Sequence, residues 1–415
     1  MRKKRSCLAG ICLILCLSGC AKTQDTEVPA VQYMQEEETP SEEPVQEQPE
    51  IPEEEEQPEP ERVPAGPVKG IYVTGPIAGH ERMSELEQLA ASSELNAMVI
   101  DIKNDEGIVT YQMEQPMVEE LEAAVRYIPD LPELVKRLKE QDVYLIARIV
   151  AFKDPLLAQK RPEWCVHRKD GSVFLDKNGL AWVNPYCREV WEYLLDLAKE
   201  AAAAGFDEIQ FDYIRFPTEI RDEEVDYGED SQEKSKTEVI SEFTAYAYET
   251  LSPLGVWVSA DVFGTIIDNE YDASLVGQDY REMAMNLDYI CPMVYPSHYR
   301  DGVYGIEHPD LQPYETVLAA LQASEEVLSG IPNGEHRAQV RAWLQDFTAS
   351  WVNPHQSYGG EQIRSQIQAV YDSGSAEWLL WNAKCSYTEE GLLTEEEALA
   401  GTKDQEEDSQ MQSEE

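Results

Sequence analysis

The sequence contains eight apolar, strand-like segments that are separated by helical or long connecting segments. We predict strands at residues 68–74, 97–103, 143–152, 208–216, 255–262, 289–295, 339–347 and 376–382, and helices at residues 83–92, 131–141, 189–204, 236–251 and 361–373. Parallel strands that are buried on both faces have this apolar character, and helices usually connect them. The alternation predicts an α/β fold of the (β/α)8 TIM-barrel type rather than an open sheet. The seventh segment mixes charged and aromatic residues and could instead be helical.

Three long connections follow predicted strands three, four and six, at residues 152–185, 218–236 and 296–313. The first contains two turn sequences, Lys-Asp-Gly at 169–171 and Lys-Asn-Gly at 177–179, on either side of a short segment. These turns predict a β-hairpin inserted after strand three. Because all three connections follow the carboxyl ends of strands, they lie at the end of a barrel where active sites are built.

The amino terminus has the organisation of an export signal. Basic residues at 2–5 precede an apolar segment at 8–17, which is too short to span a bilayer, and the sequence Leu-Ser-Gly-Cys ends at Cys20. This order resembles the lipobox of bacterial lipoproteins, although an ordinary signal peptide would share its first two parts. We therefore predict a signal peptide at residues 1–19, lipidation of Cys20, and an extracytoplasmic protein anchored to the bacterial cell membrane.

The remaining chain divides by composition. Residues 20–66 are rich in Pro, Glu and Gln and predict a disordered acidic linker, because such a segment has too few apolar groups to form a core. We place the barrel domain at residues 67–390 and a second disordered acidic tail at 391–415. The formal charge of −48 argues against nucleic acid as a partner. The oligomeric state is left open.

Four cysteines lie in the predicted barrel, namely Cys165, Cys187, Cys291 and Cys385. They are widely spaced and contain no CxxC pair, so the sequence offers no metal-ligand spacing. Free thiols are the simpler interpretation, although Cys165 and Cys187 flank the inserted hairpin and could form a disulfide in an oxidising compartment.

The first indication of chemistry is the segment GFDEIQFDYIRFP at residues 205–217. It reads as a parallel strand that follows a helix, and strand alternation places Gln210 and Asp212 on the same face. A carboxylate at the carboxyl end of a parallel strand occupies the usual position of catalytic groups in such folds. The alternative is that Asp212 only caps the following loop or pairs with Arg215.

Other predicted strands also end in polar and aromatic residues, including Asp261 on strand five. The candidate substrate-binding residues are Asp101, Lys103, Arg148, Gln210, Arg215, Tyr295, His298, Trp343, Gln345, Trp381 and Asn382. Structural alternatives exist for several of them. Asp101 and Lys103 could form a buried ion pair, and Arg148 could only balance the charge of Asp101 or Asp212. His298 could be an ordinary loop residue, and the tryptophans could belong to the core.

This set of residues suits glycoside hydrolysis, which requires two carboxyl groups beside the scissile bond. We assign Asp212 as the nucleophile or charge stabiliser, kept ionised by Arg215 or Arg148. Asp261 is the candidate proton donor, because the neighbouring Val262 and Phe263 would raise its pKa by desolvation. The chemistry needs neither a metal nor another cofactor. Candidate platforms for sugar rings are Trp164, Trp182 and Tyr299.

Seven segments carry a resemblance to a known family: VIDIKNDEG, ARIVAFKD, GFDEIQFDYIRFP, SADVFG, CPMVYPSHY, RAWLQDF and WLLWNA. Together, over residues 68–387, they resemble the bacterial putative glycosyl hydrolase domain family, which is related to barrel hydrolases of the α-amylase type. The resemblance implies a TIM barrel that hydrolyses glycans. The α-amylase pattern has Arg where this chain has Gln210, and Glu where it has Asp261. Chitinase-like barrels have Glu at the position of Ile214, so their substrate-assisted mechanism is not implied.

The leading hypothesis is therefore a retaining glycosidase that acts on an extracellular or cell-wall polysaccharide through Asp212 and Asp261. A non-catalytic carbohydrate-binding or scaffold lipoprotein with the same fold is the main alternative. A cell-wall remodelling enzyme acting on the glycan or peptide of peptidoglycan is a third. The glycan and its linkage are left open.

Overall fold

The computed structural model describes residue 62 and residues 66–219, 221–394 and 396–397. Within them, eight parallel strands form a closed barrel, because the last strand pairs with the first. The barrel strands are β1 Lys69–Val73, β2 Ala97–Lys103, β3 Tyr144–Val150, β4 Glu208–Asp212, β5 Trp257–Phe263, β6 Tyr289–Met293, β7 Ala342–Gln345 and β8 Trp378–Trp381. The predicted (β/α)8 TIM barrel is confirmed.

Helices surround the barrel and occupy the connections between its strands. The described α-helices are Gly75–Ala78, Met83–Ser92, Pro116–Leu121, Leu131–Lys139, Pro155–Lys160, Arg188–Ala203, Lys236–Leu251, Glu270–Val276, Tyr280–Ala284, Pro313–Leu328 and Gly360–Asp372. The longer ones bury one face against the strands, as expected of amphipathic helices on a barrel. All five predicted helices are present, whereas the long helix Pro313–Leu328 and the five shorter helices were not predicted. Among the described helices, none combines the length and the hydropathy that a membrane span requires.

The seventh strand is the least regular. A short strand at Gln339–Val340 precedes β7, and both pair with β6 in parallel. The backbone N–H of Arg341, between them, still donates to the carbonyl of Ile290 at 3.1 Å. The strand interpretation is therefore confirmed and the helical alternative is wrong.

The insertion after β3 contains the predicted antiparallel turns. Antiparallel bridges join residues 167 and 173, and residues 175 and 181. Gly171 and Gly179 complete the turns with φ angles of 84° and 77°, in the left-handed region that favours glycine. A strand from the loop after β4, Val225–Asp226, pairs with His167–Arg168. The two insertions therefore support each other above the barrel.

The barrel interior is filled with polar layers along β4. At the amino-terminal end, Glu208 accepts hydrogen bonds from Arg341 Nη1 at 2.8 and 2.9 Å, Ser259 Oγ at 2.5 Å and Tyr144 Oη at 3.0 Å. Both side chains of the Glu208–Arg341 pair are fully buried. Because alternate residues of a strand share a face, Gln210 and Asp212 continue this interior row toward the carboxyl end. The buried Glu208–Arg341 pair therefore closes the amino-terminal end of the barrel interior, and Asp212 lies at its carboxyl-terminal opening.

The chain contacts the barrel beyond both predicted domain boundaries. Arg62 pairs with Asp288 at 2.8 Å, and the backbone N–H of Leu393 donates to Glu94 Oε1 at 3.0 Å. The predicted signal peptide at 1–19, Cys20, and the rest of the predicted linker and tail lie outside the described residues. The barrel cysteines are free thiols, and of these Cys187 is the half-buried one.

Candidate active site

A cavity of about 460 Å³ opens at the carboxyl ends of the strands. Its walls contain the two predicted catalytic residues, Asp212 and Asp261. The predicted substrate-binding residues that also line it are Arg148, Arg215, Tyr295, His298, Trp343 and Trp381. The structure therefore brings together residues from six strands or the loops that follow them, at the end of the barrel where the sequence predicts a site.

The orientation of Asp212 is set by the way β4 ends. Tyr213 takes a φ angle of 49°, which is uncommon for a residue other than glycine. This turn directs the Tyr213 backbone N–H at Asp212 Oδ1, at 2.6 Å. Arg148 Nε donates to Asp212 Oδ2 at 3.1 Å, and Arg148 Nη2 contacts the same oxygen. Both carboxylate oxygens of Asp212 are therefore fixed. Oδ2 accepts from two nitrogens of Arg148, whereas Oδ1 accepts one hydrogen bond and keeps a lone pair for another partner.

Arg148 connects two carboxylates rather than balancing one. Its Nη1 donates to Asp101 Oδ1 at 2.5 Å, and Tyr72 Oη donates to Asp101 Oδ2 at 2.6 Å. Burial lowers the pKa of Arg148, but the charges of Asp212 and Asp101 outweigh that effect and raise it overall. Burial raises the pKa of Asp101, against the opposing effects of Arg148 and Tyr72. Asp101 is thus a buried support of Arg148 and does not line the cavity.

Asp261 has the environment of a carboxylic acid that keeps its proton. It is 2 % exposed, and Trp343 Nε1 donates to its Oδ1 at 2.6 Å. Burial, followed by the charge of Asp212, raises the pKa of Asp261 well above its usual value, while Arg148 and Trp343 oppose the rise. Desolvation is the cause that the sequence predicts. Because Trp343 occupies Oδ1, the proton of Asp261 belongs on Oδ2.

Aromatic side chains form much of the cavity wall. Trp381 stacks on Tyr72 with ring centroids 4.1 Å apart, and its edge meets Trp343 at 5.7 Å. On another side, Tyr295 and His298 pack edge-on at 5.1 Å. The His298 ring keeps an exposed edge, and desolvation lowers its pKa. Flat aromatic surfaces of this kind suit the apolar faces of sugar rings.

Arg215 also lines the cavity, but it does not serve Asp212 as predicted. Its Nη1 donates to the carbonyl of Phe216 at 2.9 Å. The guanidinium lies over the rings of Phe263 at 4.6 Å and Trp182 at 4.8 Å. Since Arg148 makes the ion pair with Asp212, the proposed role of Arg215 as its counter-ion is corrected.

Lys103 does not reach the cavity. Its Nζ donates to the carbonyl of Val150 at 2.6 Å and pairs with Asp154 Oδ2 at 2.9 Å, and the side chain is fully buried. The ladder between β2 and β3 shifts register between Asp101 and Lys103, which separates the two side chains. Neither the substrate-binding role of Lys103 nor an Asp101–Lys103 ion pair is present.

Three polar side chains that were predicted to bind substrate make hydrogen bonds within the protein instead. Gln210 is buried within the barrel, where its Nε2 lies 3.5 Å from the thiol of Cys291. Gln345 Oε1 accepts from the backbone N–H and hydroxyl of Ser297 at 3.1 and 2.8 Å. Asn382 Nδ2 donates to a backbone carbonyl of the loop after β7 at 2.6 Å. Their assignment to substrate is therefore corrected, because their hydrogen bonds hold interior strands and loops.

Of the predicted sugar platforms, Tyr299 alone lines the cavity. It packs against Gly264, where a Cβ atom would lie 2.3 Å from Tyr299 Oη, so the position requires glycine. Trp182 is 2 % exposed and lies beneath Arg215. Trp164 packs against Arg161 instead. The assignment of Trp182 is therefore wrong, because its ring is buried, whereas Trp164 is half-buried outside the cavity and its role stays a prediction.

Several residues of the site were not predicted. Tyr72 is the polar-tipped residue near the carboxyl end of β1, and that position could have identified it. The wall residues that were not predicted are Tyr213, Gly264, Thr265 and Met293, all within or directly after barrel strands. Phe263, predicted only as a neighbour that desolvates Asp261, also lines the cavity. In the described residues, no group of three or more His, Cys, Asp or Glu side chains is placed to hold a metal ion.

Comparison with solved structures finds several proteins to which this chain is similar. A hypothetical protein from Ruminiclostridium thermocellum is 41% identical over 46% of this chain and 97% of its own, with a TM-score of 0.43. The PgaB glycoside hydrolase domain from Bordetella bronchiseptica is 12% identical over 77% of this chain and 95% of its own, with a TM-score of 0.51. The C-terminal domain of a putative chitinase from Desulfitobacterium hafniense is 11% identical over 79% and 97%, with a TM-score of 0.50. At these identities the last two show a shared fold.

A search of curated proteins found no match to the sequence. The family comparison is more informative, since residues 70–387 match the profile described as a putative glycosyl hydrolase domain. The match covers most of the chain and contains every barrel strand from β2 to β8. The chain therefore belongs to the putative glycosyl hydrolase domain family, as the resemblance of its seven segments implied.

Proposed function

We propose that this protein is a glycoside hydrolase with Asp212 as nucleophile and Asp261 as general acid. The observation that carries the proposal is the difference between these two carboxyl groups in one cavity. Asp212 is held by the Arg148 guanidinium, which supplies a positive counter-charge. Asp261 is buried and forms no ion pair with a cation of the described residues, and burial raises its pKa. Two carboxyl groups with opposed environments suit the two roles that glycoside hydrolysis requires.

In the first step, Asp261 Oδ2 gives its proton to the glycosidic oxygen as the bond from that oxygen to the anomeric carbon breaks. An oxygen of Asp212 forms a bond to the anomeric carbon from the opposite face. In the second step, ionised Asp261 takes a proton from water, and the water oxygen displaces Asp212 from the sugar. Each residue thus returns to its starting state, and the anomeric configuration is retained.

Hydrogen bonds in the site support these roles. Arg148 and the Tyr213 backbone N–H hold the Asp212 carboxylate in one orientation, so little reorganisation is needed before attack. Trp343 holds Asp261 Oδ1 and also stabilises the ionised form that exists between the two steps. Because Trp343 donates to Oδ1, the proton-bearing Oδ2 of Asp261 can face the glycosidic oxygen.

An extended glycan is the substrate class that the cavity surroundings favour. Phe347 packs against Tyr295 at 5.8 Å and stacks on Trp351 at 6.0 Å, with an interplanar angle of 18°. Trp351 is 68 % exposed. This aromatic row, defined as Tyr295, Phe347 and Trp351, runs from the cavity wall to the surface and offers stacking surfaces for further sugar rings.

We also propose that lipid on Cys20 anchors the protein outside the cytoplasm, on the basis of the sequence organisation at residues 1–20. The acidic segment that follows would separate the barrel from the membrane by charge repulsion along the chain. Growth of the producing bacterium with a labelled fatty acid should label the protein, and Cys20→Ala should abolish the label. A labelled Cys20→Ala protein would contradict the anchor.

The function is tested by measuring release of reducing ends from a panel of polysaccharides by the full chain. Asp212→Asn should reduce the rate at least about a thousandfold, because it removes the attacking charge while keeping the shape of the side chain. Asp226→Asn is the matched control, since Asp226 is exposed in the insertion and should not affect the rate. The anomeric configuration of the first product, read by NMR, tests retention.

The same assay separates the alternatives. Equal rates for the wild-type and Asp212→Asn proteins would remove Asp212 from catalysis. Binding of a glycan without turnover by the wild type would favour the carbohydrate-binding alternative.

A further inference from the structure

Arg215 is a half-buried cation in the wall of the cavity. In the described residues, no carboxylate oxygen lies within 4.0 Å of its guanidinium nitrogens. Its Nη1 donates to a backbone carbonyl, whereas Nε and Nη2 make no hydrogen bond to a described residue and are not sealed from solvent. The planar donor fork therefore has free N–H groups at the wall of the cavity that contains Asp212.

In the part of the chain that the structure describes, the fully buried cations of the barrel are all neutralised. Arg148 contacts two carboxylates, Lys103 pairs with Asp154, and Arg341 lies between two glutamates. Burial of a charge is costly unless an opposite charge accompanies it, and these contacts follow that rule. Arg215 is half-buried rather than fully buried, and among the described residues it has no such carboxylate contact although it lines the cavity.

Aromatic rings hold Arg215 in position. Its guanidinium contacts Phe263, Trp182 and Tyr213 at centroid distances of 4.6, 4.8 and 5.3 Å. Cation–π contacts of this kind offset part of the desolvation cost. They also restrict rotation of the side chain, so the fork is positioned before a ligand arrives.

We propose that Arg215 binds the carboxylate of an acidic sugar, so that the substrate is a glycan containing carboxylated residues. This inference rests on the proposed function, because it assigns the substrate class of the same cavity. A guanidinium and a carboxylate form two parallel hydrogen bonds, which a neutral sugar hydroxyl cannot match. The bound carboxylate would supply the counter-charge that Arg215 lacks.

The overall charge of −48 is compatible with this ligand but limits its density. Repulsion between exposed charges is largely screened beyond about 8 Å at physiological ionic strength, whereas a contact inside the cavity is screened much less. A glycan with one carboxylate per several sugars fits both conditions better than a densely charged polymer.

Two sources of a sugar carboxylate are distinguished by the probes. Calorimetric titration of the full chain would use a trisaccharide containing one hexuronate, a disaccharide containing N-acetylmuramic acid, and the carboxyl-reduced form of each. We expect the wild type to bind one acidic probe at least about tenfold more tightly than its reduced form, since a charge-assisted pair is lost on reduction. The preferred acidic probe identifies the source.

The variants test whether Arg215 causes the preference. Arg215→Gln should bind the acidic probe at least about tenfold more weakly and the reduced probe about as well as the wild type. Arg215→Lys should fall between them, because it keeps the charge and loses the planar fork. The matched control is Arg300→Gln, which removes one charge from an exposed loop residue and should keep the full preference.

The results separate this inference from the proposed function. Tight binding of an acidic probe without hydrolysis would support Arg215 as the anion site and refute the hydrolase. Hydrolysis of neutral glycans, with no preference for the acidic probes, would support the hydrolase and refute Arg215 as the anion site. Equal losses for acidic and reduced probes in Arg215→Gln, or failure of every probe to bind, would overturn the inference.

Discussion

Replacement of Trp343 by Phe tests the assignment of Asp261 as the general acid. The substitution keeps an aromatic ring on β7 and removes the indole N–H that donates to Asp261 Oδ1 at 2.6 Å. This donor favours the ionised carboxyl group, because a hydrogen bond to a charged acceptor is stronger than one to a neutral acceptor. Loss of the donor should therefore raise the pKa of Asp261 further above its usual value.

The size of the shift follows from the difference between the two hydrogen bonds. A hydrogen bond to a charged group is worth roughly 1.5–3 kcal/mol and a neutral one roughly 0.5–1.5 kcal/mol. The ionised form thus loses about 1–1.5 kcal/mol more than the protonated form. At about 1.4 kcal/mol per pKa unit, Trp343→Phe should raise the pKa of Asp261 by about one unit.

The measurement needs no substrate. The carboxyl ¹³C resonances of a protein labelled at Asp would be followed by NMR as a function of pH, and Asp261→Asn would identify the resonance of Asp261. With an active substrate, the alkaline limb of the kcat/KM profile should move up by the same amount, because the acid must be protonated to act. Trp378→Phe is the matched control, since Trp378 donates to Tyr371 instead. A fall in the pKa, or no change, would refute the reasoning.

Three other substitutions test the electrostatics and the aromatic row. Asp261→Asn should be more stable to urea than the wild type above about pH 4. The raised pKa of Asp261 in the folded protein makes the wild-type free energy of unfolding fall as pH increases through that range, and asparagine does not titrate. If the free energy of unfolding changed with pH equally in both proteins, this expectation would be contradicted. Arg341→Met should lower the free energy of unfolding by about 3–5 kcal/mol, because it leaves Glu208 buried without its cation; a loss below about 1 kcal/mol would show that the Glu208–Arg341 pair is dispensable. Trp351→Ala should raise KM for a polymeric glycan about fivefold while leaving KM for a disaccharide and the melting temperature nearly unchanged, and equal effects on both substrates would remove the aromatic row from substrate binding.

The barrel could be predicted from sequence because its strands carry a strong local signal. All seven residues of β2 are buried, including Asp101 and Lys103, so the segment reads as an apolar run with two charges. The positions of Asp212 and Asp261 followed from the same pattern, because the carboxyl ends of barrel strands converge. Arg148 followed for the same reason.

The partners of these residues could not be predicted in the same way. Lys103 pairs with Asp154 rather than with Asp101, because the strand ladder shifts register between Asp101 and Lys103. Gln345 accepts a hydrogen bond from Ser297, which lies in the loop after β6, and the path of that loop depends on packing. Local patterns place a side chain at an end of the barrel, whereas its partner depends on loop conformation and on strands distant in sequence.

The left-handed turn at Tyr213 has a consequence for protein engineering. The main-chain N–H at this corner helps to aim Asp212, so copying the carboxylate and Arg148 alone onto another eight-stranded scaffold would transfer the chemical groups without their alignment. Proline in place of Tyr213 would prevent this left-handed turn, because its ring restricts φ to negative values. A transplanted site would therefore have to reproduce the bend after the fourth strand before its side chains could be expected to act together.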